Sequence, residues 1–386
     1  MSQLTPKLSS ELAREVYNVI GDELSLRLFL TRSEFSSAPN SSHQLKATVG
    51  SRLIKVEDAF GLCAMGGNGF EKDIFIIFRG STKLTADWLS NARIGVQTST
   101  SGWPVHIGFN TAFKSMLPQI QEFLRGADVG ATIHCIGHSL GGAVATIAAN
   151  WIANNKAQKV KLYTFGAPKP GLMMFANSAT RKIRKQNIFR VYHATDPVPM
   201  VPLFPYMHAP LPGFGHFVPS SEAIHTAAAH DMEKYAENVK DLTWDLLERR
   251  QPPYSVEHAV KSWLESKSNV HAGSWKIWEW INAGIIYVVS KVIGVLAGPI
   301  QFGLMGVMTV ADTLAYILSK GIDLSKKTGL SDLGRWVFLL MNKIMQALGM
   351  GVPDENLEMT HHFLRNVLNR LTTRTNEEAK RVAAAI

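Results

Sequence analysis

The chain predicts an α/β fold, a mostly parallel sheet flanked by helices, with an additional helical C-terminal region. Three observations carry that expectation. From residue 45 to about 249, short apolar runs alternate with amphipathic stretches, as in a sheet covered by helices. Four of the runs, 74–78, 132–136, 160–165 and 188–193, are rich in β-branched or aromatic residues and mostly followed closely by Gly or Pro. After Arg249-Arg250-Gln251-Pro252-Pro253 the composition shifts, and the remainder reads as helices. The expected organisation is therefore residues 1–250 for the α/β part and 251–386 for a helical, hydrophobic region.

Between the strands, Phe113, Met116, Leu117, Ile120, Phe123 and Leu124 mark the apolar face of one helix, and residues 143–152 form a dense small-residue helix able to sit under a sheet. In the C-terminal region, residues 292–311 carry no charge and have about the length that crosses a bilayer. They also contain Gly294, Gly298, Pro299, Gln301, Gly303 and Gly306, so a buried or surface-inserting hairpin broken near Gly298-Pro299 fits as well as a span. Membrane contact through residues 276–322 is expected on this ground.

With 386 residues, 46% apolar and 18% charged, the chain buries a full core and is not a mainly disordered protein. The formal net charge of +9 favours an anionic partner without choosing between a membrane surface and nucleic acid. No basic run interleaves with stacking aromatics, and Arg181, Lys182, Arg184 and Lys185 read as a solvated helix end, so no nucleic-acid partner is expected. Two cysteines, Cys63 and Cys135, are too few for a disulfide framework and favour a reducing compartment, with Cys135 a buried inert thiol. Residues 1–20 lack the apolar core of a secretory signal, so the expected location is the cytoplasm or export by another route, with association to a membrane.

The chemistry concentrates in Ile136-Gly137-His138-Ser139-Leu140-Gly141-Gly142, which follows an apolar strand and opens an Ala-rich helix. A serine on so tight a strand-to-helix turn adopts a strained backbone, and Gly137 and Gly141 beside it leave room for the turn and for close helix–strand packing. The turn presents the Ser139 hydroxyl outward. The Leu140 amide and the positive helix end then favour the anion that forms when a carbonyl is attacked. A serine hydroxyl further needs a histidine to take its proton and a carboxylate to fix the tautomer of that histidine, in the chain order Ser, Asp, His. Asp196, in Tyr192-His193-Ala194-Thr195-Asp196-Pro197-Val198-Pro199, lies just past a strand. His208, His216, His225 and His230 all follow it, and spacing alone does not choose among them.

Several further segments, in order, resemble the class 3, or fungal-type, lipase family. Phe78-Arg79-Gly80-Ser81 with Asp87-Trp88 resembles the oxyanion strand and the start of a lid, Val105-His106-Ile107-Gly108-Phe109 the return from the lid, and Thr164-Phe165-Gly166-Ala167-Pro168 the strand end beyond the nucleophile helix. The likeness covers roughly residues 45–236 and implies an α/β-hydrolase-type fold and a lipase or phospholipase A activity on lipid at a membrane or droplet surface. It implies Ser81 as a second oxyanion donor and, through the Asp-x-Val-Pro motif, Asp196 as the acid. It selects His230 as the base, because His230-Asp231-Met232-Glu233-Lys234-Tyr235 resembles the segment after the family's histidine. Gly213-Phe214-Gly215-His216 resembles a separate hairpin, which leaves His216 as the runner-up with a structural role.

Residues 82–103 are expected to form a lid, with Leu84, Trp88, Leu89, Ile94 and Val96 as its apolar underside. His361-His362 lacks ligand partners at zinc spacing, and neither a Walker loop nor a dinucleotide fingerprint is present, so no metal and no cofactor are expected. The alternative reading makes the protein a membrane-acting toxin or effector whose C-terminal helices carry the main activity and bind a protein partner, because the resemblance stops before that region.

Overall fold

The computed structural model describes residues 3–50, 55–80, 95–219, 224–267, 274–295, 309–329, 331–351 and 358–385. Two helices lead, α1 (Pro6–Val19) and α2 (Glu23–Phe29). α1 starts where the Thr5 side chain accepts the Leu8 amide and Pro6 opens the helix, a residue that has no N–H to leave unpaired. Its Leu12, Ala13, Val16 and Val19 are buried.

Strands β1 (Ser42–Gly50), β2 (Lys55–Met65) and β3 (Ile74–Phe78) follow as an antiparallel meander. Next come β4 (Val96–Thr98), β5 (Pro104–His106), α3 (Ile107–Phe123), β6 (Thr132–His138), α4 (Leu140–Asn155), β7 (Lys159–Phe165) and β8 (Gly171–Leu172). This part ends with α5 (Met173–Ile183), β9 (Ile188–His193), β10 (Tyr206–Met207), β11 (Gly215–Val218), α6 (Met232–Val239) and β12 (Arg249–Arg250).

Eight of these strands form one sheet in the order β1-β2-β3-β6-β7-β9-β11-β12, parallel from β3 to β11. The four expected buried strands are its centre. Alternation along β3 shows why the sheet is covered twice: Ile74, Ile76 and Phe78 join the core under α3, α4 and α5, whereas Phe75 and Ile77 join the core under α1 and α6. Of the segment at 213–216, expected to resemble a separate hairpin, Gly215 and His216 open β11, antiparallel to β12 and with His216 beside Val191 on β9. A second, four-stranded sheet, β10-β8-β5-β4, sits apart from the first.

The C-terminal region is helical: α7 (Glu257–Glu265), α8 (Trp275–Val295), α9 (Val310–Thr328), α10 (Ser331–Ala347) and α11 (His361–Ala383). Their shared core takes in Leu172, Leu203, Phe204, Tyr206 and Met207 from the α/β part, so the helices are docked on it by apolar burial. Most of the candidate span at 292–311 lies outside the described residues, and among the described residues no helix is long and apolar enough to cross a membrane. Both cysteines are free and buried.

Candidate active site

Ser139 is the single residue between β6 and α4. Its φ of 54° and ψ of −130° lie where a side chain is strained, at a cost of about 1–3 kcal/mol. The surroundings hold it there: its amide donates to the Phe165 carbonyl at 3.0 Å and its carbonyl accepts the amides of Gly142 and Ala143. A Cβ on Gly137 would stand 2.4 Å from the Gly141 carbonyl, and one on Gly141 2.4 Å from the Phe78 carbonyl oxygen, so neither position admits a larger residue. Leu140 is the first residue of α4, where a helix leaves its N–H without an intrahelical acceptor. Together with the helix dipole, that amide favours negative charge beside Ser139.

The structure brings Ser139, His230 and Asp196 into one line. Ser139 Oγ and His230 Nε2 are 2.8 Å apart, and His230 Nδ1 and Asp196 Oδ2 are 2.7 Å apart. All three are buried. The carboxylate can only accept, so Nδ1 carries the hydrogen and Nε2 is left as the acceptor for the serine hydroxyl. His230 ends a short turn and Asp231, the next residue, caps α6, which fixes where the imidazole leaves the chain.

None of the other three histidines makes this contact. His208 donates Nε2–H to the Pro199 carbonyl at 2.7 Å. His216 lies against Phe189 and Trp244 on β11, with burial lowering its pKa to about 4. His225 reaches Glu378 on α11 at 3.3 Å. Ser81, Asp87, Trp88 and the lid residues Leu84, Leu89 and Ile94 lie outside the described residues. Val96, from the same expected lid, is half-buried against the core of the C-terminal helices.

Supporting side chains complete the site; the sequence placed His138 in the nucleophile elbow but gave His193 and Tyr235 no role. Tyr235 donates its hydroxyl to Asp196 Oδ2 at 2.7 Å and accepts the His193 amide at 3.0 Å. The Val198 amide supplies Asp196 Oδ1 at 2.9 Å. Burial, and after it the nearby Asp196 charge, pushes the Tyr235 hydroxyl well above its ordinary pKa, so it remains a donor. His193 stacks on Tyr235 at 3.9 Å and bonds the Ala229 carbonyl at 2.6 Å, while His138 Nε2 bonds the His230 carbonyl at 2.8 Å. Two buried imidazoles thus hold consecutive carbonyls of the segment that carries His230. The available signal was their placement on apolar strands, since a buried histidine requires partners. Among the described residues no group of three His, Cys, Asp or Glu side chains is arranged to hold a metal ion.

Residues 75–206 match the family described as lipase (class 3). The chain is 35% identical to secreted mono- and diacylglycerol lipase 1 of Fusarium solani over 144 residues, which are 36% of this chain and 42% of that protein. It is 27% identical to a chloroplastic phospholipase A(1) of Arabidopsis thaliana over 154 residues, 34% of each. The chain therefore spans less than half the length of these relatives. The crystal structure of the lipase from Rhizopus microsporus var. chinensis superposes on 54% of this chain and 72% of its own, with 23% identity and a TM-score of 0.39. Over residues 75–206 the chain is thus similar to class 3 lipases in sequence.

Proposed function

We propose that the protein hydrolyses carboxylic esters of lipids through an acyl-enzyme on Ser139. The observation that carries this reading is the line from Ser139 Oγ through His230 to Asp196, with both contacts under 3 Å. In the proposed reaction, His230 Nε2 takes the serine proton as Oγ attacks the ester carbonyl, and Asp196 stabilises the imidazolium. The Leu140 amide receives the developing oxyanion, joined in this reading by Ser81, and each such donor contributes about 2.7–4 kcal/mol to the transition state. His230 then returns the proton to the departing alcohol, and water repeats the sequence on the acyl-enzyme. The relatives are named as mono- and diacylglycerol lipase and phospholipase A(1), which supports acyl esters of glycerides or phospholipids as the substrate class.

The test is fatty-acid release from emulsified diacylglycerol and from phosphatidylcholine vesicles by the full chain and its Ser139→Ala variant. Release from at least one substrate, reduced about 10⁶-fold in the variant, is the expected result. Equal release by both proteins contradicts the reading.

A further inference from the structure

We propose that Tyr17 is a positioning residue of this site, its hydroxyl tying the end of the Gly80 strand segment to the nucleophile turn and to the backbone of the base. The proposal rests on the esterase reading above. Tyr17 lies near the end of α1, far from the site in sequence, yet its hydroxyl accepts the Gly80 amide at 2.9 Å and stands 2.7 Å from His138 Nδ1. His138 Nε2 in turn meets the His230 carbonyl at 2.8 Å. The His230 carbonyl can only accept, so Nε2 of His138 carries a hydrogen and, in the neutral ring, Nδ1 is the acceptor. Tyr17 must then donate its hydrogen to Nδ1, and His138 must be the neutral tautomer protonated at Nε2. Burial favours these states, raising the Tyr17 hydroxyl above its ordinary pKa and holding His138 well below its own.

Three parts of the proposed ester-hydrolysing site meet at this hydroxyl. Gly80 immediately precedes Ser81 in the chain and passes so close to the turn that a Cβ on it would lie 3.0 Å from Ser139 Cβ and 2.1 Å from the Tyr17 oxygen. His138 is the residue before the nucleophile. Its other nitrogen holds the residue whose imidazole takes the serine proton. Packing does not require the hydroxyl, because Leu12, Ala13, Val16 and Val19 already anchor α1 and a phenylalanine would fill the same ring volume. The polar atom instead sets the distance between an oxyanion arm, a nucleophile and a base, where a displacement of 1 Å costs a large factor in rate.

The experiment compares kcat and KM of wild type, Tyr17→Phe, His138→Leu and the double variant on soluble p-nitrophenyl butyrate, with Val16→Ala as a stability control. Tyr17→Phe and His138→Leu are each expected to lower kcat about ten- to a hundredfold with KM nearly unchanged. The double variant should be little slower than the slower single one, as expected of residues acting as a unit. Val16→Ala should lower Tm by several degrees and leave kcat within about twofold below its transition. If Tyr17→Phe keeps kcat within about twofold of an active wild type, or loses rate only in proportion to Tm as Val16→Ala does, the proposal is overturned while the esterase reading stands. If Tyr17→Phe does not fold, full kcat in His138→Leu overturns it equally. A wild type with no turnover and no fluorophosphonate adduct on Ser139 removes the esterase reading and the proposal with it.

Discussion

Tyr235 and His230 share one oxygen of Asp196: the tyrosine hydroxyl and the imidazole Nδ1 each stand 2.7 Å from Oδ2. The other oxygen is occupied by the Val198 amide. A buried carboxylate so fully supplied with donors is held in place, as the proposed role of orienting the base requires.

Tyr235→Phe removes one of those donors and strips the His193 amide of its acceptor. We expect about 1–3 kcal/mol of lost stability, read by denaturant unfolding, and kcat lower by about tenfold. Wild-type stability and rate together would show that the hydroxyl contributes nothing.

Asp196→Asn offers His230 an amide that can donate where the imidazole must donate, so the wrong tautomer faces Ser139. A fall in kcat of about 10⁴ is expected. Loss of less than tenfold on a soluble ester would mean that the acid lies elsewhere.

The backbone strain at Ser139 predicts a trade of stability against function. Glycine adopts φ 54° without penalty, so Ser139→Gly should exceed Ser139→Ala in unfolding free energy by about 1 kcal/mol while both lack turnover. A glycine variant less stable than the alanine variant would argue against the strain.

The C-terminal helix α11 is anchored beside the site, with Ala379, Val382 and Ala383 on Val198 and Val201, and with Glu378 against His225. The hydrogen bond from His225 holds the Glu378 carboxyl below its ordinary value of 4.5, with Arg374 and Arg381 adding to the effect. A depressed folded-state pKa contributes stability that is complete above the ordinary value and disappears as pH falls through the lowered one. Glu378→Gln should therefore lower Tm by about 2–4 °C at pH 6, with the gap closing below about pH 4. A gap that is constant with pH would exclude the ionised contact.

The parallel sheet and the nucleophile turn were legible in the sequence because both write themselves in apolar runs and glycines. β3 (Ile74–Phe78) and β9 (Ile188–His193) coincide with their expected limits, since a strand buried on both faces is mostly apolar. The small second sheet was not legible, as β8 and β10 are two residues each and show no period. Local context marked Ser139 on a strand-to-helix turn and Asp196 just past a strand, and the resemblance assigned Asp196 its role. Spacing left four histidines open after Asp196, and it was the resemblance of the segment His230–Tyr235 that selected His230. Tyr17 and His193 were invisible, because their partners are distant in sequence, and a hydroxyl or imidazole carries no local mark of what it will bond.

Intact-mass and peptide mapping after treatment with a fluorophosphonate probe interrogates the nucleophile itself. Stoichiometric phosphonylation of Ser139 in the wild type, slowed by orders of magnitude in a His230→Ala variant, is the predicted result. An unmodified Ser139, or an adduct on another residue with ester turnover intact, would contradict it.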